Sequence, residues 1–205
     1  VQGRKEAFIA LSKAGKLGMA SVRAALDHSD ASLRGNAFDI LREKPRGLRH
    51  GVPALEKLLN TGTRYDPIEV CEILALMEEE AQPLGTALAS AWERATKGSK
   101  GERFIEAVGK VRATSADTGP ILGELLKNQK YSRAAGSSLA NLGALGPLLV
   151  AIRSEDTNAR AVALQSIGHL GVRATRHAAA IAELLKDPDD KVRFAAREAL
   201  AKMGR

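Results

Sequence analysis

Apolar and small residues recur along this chain on one helical face, and that face returns again and again. Val192, Ala195, Ala196, Ala199, Leu200 and Met203 follow the i, i+3, i+4, i+7 spacing of a buried helix side. The same set appears 33 residues earlier as Ala159, Val162, Ala163, Ser166, Ile167 and Leu170. Sliding it back places further copies at Ser132, Gly101, Val70, Leu33 and Arg4, with small or apolar residues at the core offsets each time. Examples are Ala135, Gly136 and Leu139, or Phe104, Ile105 and Val108. Self-similarity at this period predicts an all-α solenoid, in which stacked helix pairs bury one continuous core.

Between these helices a second pattern predicts their partners. Pro53 precedes Leu55, Leu58 and Leu59; Pro120 precedes Leu122, Leu125 and Leu126; Pro147 precedes Leu149 and Ile152. Ile181, Leu184 and Leu185 fill the same places in the last unit. Proline is tolerated in a first helical turn, where its missing N–H would be unpaired anyway. Polar turns such as Lys186-Asp187-Pro188-Asp189-Asp190 join the paired helices, and their acids are expected to cap the next helix. Gly15, Gly143, Gly171 and Gly204 stand at predicted helix stops. The expected units are a half repeat at 4–15, then 18–43, 51–78, 82–113, 118–143, 145–171 and 177–204, in one repeat domain over 1–205. The stretch 61–113 departs most from the pattern, and its loop 96–101 predicts a kink or insertion.

Composition sharpens this picture. Hydrophobic residues make up 44% of the 205, but aromatics only 3%, so the core must be built of Ala, Leu, Val and Ile, which suits closely packed helices. The net charge of +7 favours an acidic partner or a nucleic acid over a cationic one. It alternates along the chain: net +5 over 1–60, −4 over 61–98, +4 over 99–153 and +2 over 154–205. One unbroken basic stripe for a phosphate backbone is not what this describes. No apolar run reaches membrane-spanning length. The single Cys71 precludes an internal disulfide or a cysteine cluster, and cytoplasmic residence is the expectation. A chain that begins at Val1, with bare terminal repeats, is expected to be a processed product or part of a longer array.

The segment Ala180–Gly204, with Leu184-Leu185-Lys186-Asp187-Pro188-Asp189 leading into Val192-Arg193 and Ala195-Ala196, resembles the HEAT-repeat family in its short, alanine-rich bacterial style. The resemblance extends over nearly the whole chain. It implies a right-handed superhelix of about six antiparallel helix hairpins, HEAT/armadillo-like, and it implies a binding surface rather than a chemistry. In such repeats an arginine just after the core start pairs with an aspartate of the preceding turn, which would match Asp187 with Arg193.

Basic residues do follow the core starts: Lys5, Arg34, Arg133, Arg160 and Arg193, with Arg103 one place out and Cys71 breaking the series. Two readings stand. The arginines form a ladder of cations across a concave groove, or they staple successive turns. A second basic cluster, Arg42, Lys44, Arg46, Arg49 and His50, surrounds Pro45 and Gly47, with no aromatic nearby to stack on bases. His28, His50, His169 and His177 have no i, i+4 partner, and the His-Glu motifs of the HEAT-like deoxyhypusine hydroxylases are missing. No cofactor is expected. Trp92-Glu93 and Tyr65-Asp66 are the aromatic–acid groupings through which the chain would resemble HEAT-like glycosylases that excise alkylated bases. Phycobilin lyases are another catalytic HEAT-like group, with no residue here that singles them out. Glu78-Glu79-Glu80 reads as a solvated helix end or a docking patch.

The reading that follows is a non-catalytic scaffold. Its concave, partly basic groove, carrying Arg34, Arg133, Arg160 and Arg193 with the cluster Arg42, Lys44, Arg46 and Arg49, receives an acidic protein partner. Phosphate-backbone binding is the first alternative and a HEAT-like enzyme the second.

Overall fold

The spacing of apolar residues becomes helix wherever the computed structural model describes the chain, at residues 16–26, 28–43, 52–61, 67–77, 84–96, 101–112 and 115–204. Among these residues there is no strand. The helices pair as hairpins. They are α1 (Lys16–Leu26) with α2 (Ala31–Glu43), α3 (Val52–Thr61) with α4 (Pro67–Leu76), and α5 (Gly85–Thr96) with α6 (Gly101–Val108). Next come α7 (Ser115–Leu125) with α8 (Ser132–Leu142), and α9 (Leu145–Ala151) with α10 (Thr157–Leu170). A 3₁₀ turn, Gly171–His177, leads to α11 (Ala178–Glu183), a second 3₁₀ turn and α12 (Asp190–Lys202). The half repeat expected at 4–15 lies outside the described residues.

Second helices form one layer, in which α2, α4, α6, α8, α10 and α12 each pack on the next. First helices α3, α5, α7 and α9 form the other layer. This is an α-solenoid, and its core runs between the layers. Leu41, Leu55, Leu59, Ile73, Leu74, Leu88, Phe104, Ile105 and Leu126 are its largest fully buried side chains. Each such leucine contributes about 1.5–3 kcal/mol by leaving water. Towards α12 the core changes to Ala159, Ala163, Ala195, Ala196 and Ala199, which bury less area each and so rely on close approach.

Small residues make that approach feasible. A Cβ added to Gly136 in α8 would collide with Ser166 Oγ and stand 2.8 Å from Val162 Cγ1, both in α10. One added to Gly109, just past α6, would lie 2.7 Å from the Cα of Ser138 in α8. The hydroxyls on this seam are satisfied: Ser138 Oγ donates to Ile105 O at 2.8 Å, and Ser166 Oγ to Val162 O at 2.8 Å. Small side chains are therefore a packing requirement where α6, α8 and α10 meet.

Pro53 and Pro147 lie in first turns as the sequence predicts, but Pro120 is the sixth residue of α7. Pro120 and Ala116 are both exposed, so the carbonyl freed by the missing N–H lies on the solvent side, and the helix continues. Gly143, Gly171 and Gly204 all have positive φ (69°, 55° and 75°), as helix stops require; Gly15 lies outside the described residues.

Candidate functional site

Three of the short turns into second helices are built the same way. Asp30, Asp156 and Asp189 cap α2, α10 and α12: their Oδ1 atoms accept from the N–H groups of Ser32 (2.8 Å), Ala159 (2.7 Å) and Lys191 (2.8 Å). Four residues after each cap comes an arginine whose own N–H donates to the cap carbonyl: Arg34 to Asp30, Arg160 to Asp156, Arg193 to Asp189. The guanidinium then folds back over the turn. Arg34 Nη1 donates to His28 O (2.9 Å) and Ser29 O (2.7 Å), and Arg160 Nη1 to Ser154 O and Glu155 O (both 2.9 Å). Arg193 Nη1 does the same to Asp187 O (2.6 Å) and Pro188 O (2.9 Å). One charged donor thus satisfies two carbonyls that the turn leaves without a backbone partner.

Arg160 is held further. Its Nε and Nη2 donate to Asp187 Oδ2 (2.9 Å) and Oδ1 (3.0 Å), which belong to the next hairpin. The side chains of this pair are only 11% and 5% exposed. Burial alone would raise the Asp187 carboxyl. The Arg160 hydrogen bonds, the Asp189 N–H, and the charges of Arg160 and Arg193 outweigh it and hold the group below its ordinary value. Arg193 meets Asp187 through its backbone carbonyl; the carboxylate on its guanidinium is that of Asp190. The expected pairing of Asp187 with Arg193 is thus replaced by Asp187 with Arg160.

Arg133 departs from this scheme. In its turn the N-cap of α8 is Tyr131, which makes no side-chain cap bond. Asn128 makes the bonds that the aspartates make elsewhere: its Oδ1 accepts the Lys130 N–H at 3.0 Å, and its O accepts the N–H of Ser132 at 2.8 Å. The residue four past Asn128 is Ser132, which is buried. Arg133 falls one residue later, about 100° further round the helix. It is exposed, and among the described residues its side chain has no hydrogen bond or ion pair. Core spacing puts Arg133 in line with the other arginines, whereas the turn places it one step out. The signal that separates them is in the sequence: Asp30, Asp156 and Asp189 each stand four before an arginine, and no acid stands four before Arg133.

Three of the four ladder arginines thus bond their own turns, and Arg160, with 11% of its side chain exposed, keeps little surface for a partner. The second cluster also divides. Arg42 bonds Asp39 within α2 and Glu72 of α4, both at 3.3 Å; Lys44, Arg46 and Arg49 lie outside the described residues.

Arg133 opens into a groove of about 670 Å³ that crosses α6, α8, α10 and α12. Lys130 and Lys191 flank it, Asn158 and Gln165 line it, and Phe194, 62% exposed, stands at one end. A second cleft of about 590 Å³ lies between first helices α7 and α9, over Pro120, Gly123, Pro147 and Val150. Lys127 at its rim is paired with Glu124 at 2.9 Å. Trp92 is packed among core aromatics, edge-on to Tyr131 at 5.7 Å and 6.5 Å from Phe104. It walls no cleft. Tyr65, Asp66 and Glu78–Glu80 lie outside the described residues. Cys71 is buried, and among the described residues no three His, Cys, Asp or Glu side chains are grouped to hold a metal.

Residues 145–205, which hold the last two hairpins with both staples on Asp187, match a family profile of HEAT repeats. These two hairpins are HEAT repeats. No curated protein matches it at a comparable level. Among solved structures it is similar to an engineered protein from the Northeast Structural Genomics Consortium, 19% identical, with 89% of this chain and 96% of that one covered and a TM-score of 0.39. The array has no helix, among the described residues, long and apolar enough to cross a membrane.

Proposed function

We propose that this array is a non-catalytic protein-binding module, and that the groove across α6, α8, α10 and α12 receives an acidic segment of a protein partner. HEAT repeats generally mediate protein interaction or scaffolding, and an already ordered surface loses little entropy on binding. The observation that carries the reading is the placement of Arg133. Of the four ladder arginines it is the one turned away from its own turn and into a groove, where Lys130 and Lys191 add charge. Asp190 at the rim is neutralised by Arg193.

Phosphate-backbone binding rests on the +7 charge and on the basic cluster at 42–50, of which Lys44, Arg46 and Arg49 lie outside the described residues. Glu102 within the groove opposes it, because a nucleic acid would bring phosphates to that carboxylate. The test is a titration of a fluorescent glutamate-rich 12-residue peptide and of a 20-base-pair duplex across a salt series, for the unmodified chain and Arg133→Glu. The peptide is expected to bind and to lose affinity in Arg133→Glu. Equal peptide affinity in both chains, or tighter duplex binding with a steep salt slope, would overturn the reading.

A further inference from the structure

The groove is lined by one repeated position. The residue five past the Asn or Asp whose carbonyl accepts the turn's i+4 N–H is Arg133 in α8, Ala161 in α10 and Phe194 in α12, and buried-residue register places Glu102 at the same point in α6. All four line the groove together. The four helices lie side by side, each packed on the next, so neighbouring members of this row are separated by the interaxial distance of packed helices, about 8–10 Å. Read across the array, the row is an acid, a base, a methyl group and an exposed aromatic ring.

A ligand that uses all four must present side chains on one face at that interval. A β-strand brings side chains back to one face about every 6.6 Å or 13 Å, and neither matches. An α-helix returns a side chain to one face after about 5–6 Å or about 10.5 Å, to either side of that interval. A polyproline II segment has three residues per turn and a rise of about 3.1 Å, so every third side chain faces the same way at about 9 Å. That interval is the spacing of the helices.

We infer, building on the proposed protein-binding role, that the occupant is an extended, polyproline II-like segment read at every third residue. A basic residue faces Glu102, an acidic residue faces Arg133, a residue of any size that fits Ala161 follows, and a large apolar residue packs on Phe194. The acid and the large apolar residue are then six positions apart in either chain direction. Lys130 and Lys191 strengthen the hold on the acid and on carboxylates near it. Glu102 favours a segment that carries a base at that point, so a glutamate-rich peptide binds the groove more weakly than this ligand.

The test is selection from a displayed library of random 12-residue peptides on the full chain, on Arg133→Glu and on Phe194→Ala. Both positions are exposed, and circular dichroism with thermal melting checks that the variants stay folded. Enriched peptides are expected to share an acid and a large apolar residue six positions apart, with proline frequent between them. Arg133→Glu should turn the selected acid into a base and weaken a synthetic copy of the best peptide by about tenfold or more. Phe194→Ala should erase the apolar preference and leave the acid. Acid enrichment without fixed spacing, or a seven-residue spacing typical of a bound helix, would overturn the inference and leave the protein-binding role standing. No enrichment over a bare-surface control, or enrichment indifferent to both substitutions, would overturn both.

Discussion

Asp187 holds Arg160 with both carboxylate oxygens, at 2.9 Å from Nε and 3.0 Å from Nη2, across the boundary between two hairpins. The same arginine closes its own turn on Ser154 and Glu155, so one side chain fixes a turn and joins it to the next unit. Rigidity in this part of the array comes from charge as well as from the alanine seam.

Removing the charge from Asp187 should therefore be costly. Asp187→Asn leaves the Arg160 guanidinium largely buried without its counter-charge, and breaking such a pair costs about 3–5 kcal/mol. Urea unfolding of the variant should show a lower midpoint with an unchanged slope. A loss below about 1 kcal/mol would show that the pair behaves as an exposed one.

The pH dependence follows from the depressed Asp187 carboxyl. An unfolded aspartate titrates near about 3.9. Above that value the folded and unfolded states are both ionised, and the full contribution of the pair is present. As pH falls below it, the unfolded chain takes up the proton first and stability declines until the lower folded value is passed. The stability gap between the unmodified chain and Asp187→Asn should stay constant above about pH 5 and narrow on acidification below pH 4. A gap that widens there would mean the carboxyl is raised.

The staple and the groove arginine should separate in stability measurements. Arg193→Ala removes a charged donor from two turn carbonyls and should cost about 1–2 kcal/mol. Arg133→Ala should stay within about 0.5 kcal/mol, as for an exposed side chain without a partner. Thermal melts of the two variants side by side read the difference. Equal losses would place Arg133 among the staples.

Glycine substitutions give a matched pair for packing. Gly136→Ala forces a methyl group against Ser166 and Val162 and should destabilise by about 1–3 kcal/mol. Gly35→Ala in α2 meets nothing within 4 Å and should stabilise by roughly 0.5–1 kcal/mol, since alanine has the higher helix propensity. If Gly136→Ala proves as benign as Gly35→Ala, the α8–α10 seam is looser than described.

Helix pairing, an alanine-rich second layer and acidic caps were all legible in the sequence, because each depends on residues close together in the chain. The 3.6-residue period marks a buried face wherever it occurs, and Asp156 or Asp189 caps whatever helix begins next to it. The i, i+4 spacing from Asp to Arg also marks the staples, although the periodicity of the core conceals it by allowing a one-residue slip at Ser132. The choice of partner for Asp187 was not legible. Arg160 lies 27 residues away and Arg193 only six, and the order of contact depends on how one hairpin stacks on the next. The groove belongs to the same class of property. Glu102, Arg133, Ala161 and Phe194 become neighbours only when four helices are laid side by side, so local sequence determines the hairpins and tertiary stacking decides what their surfaces can bind.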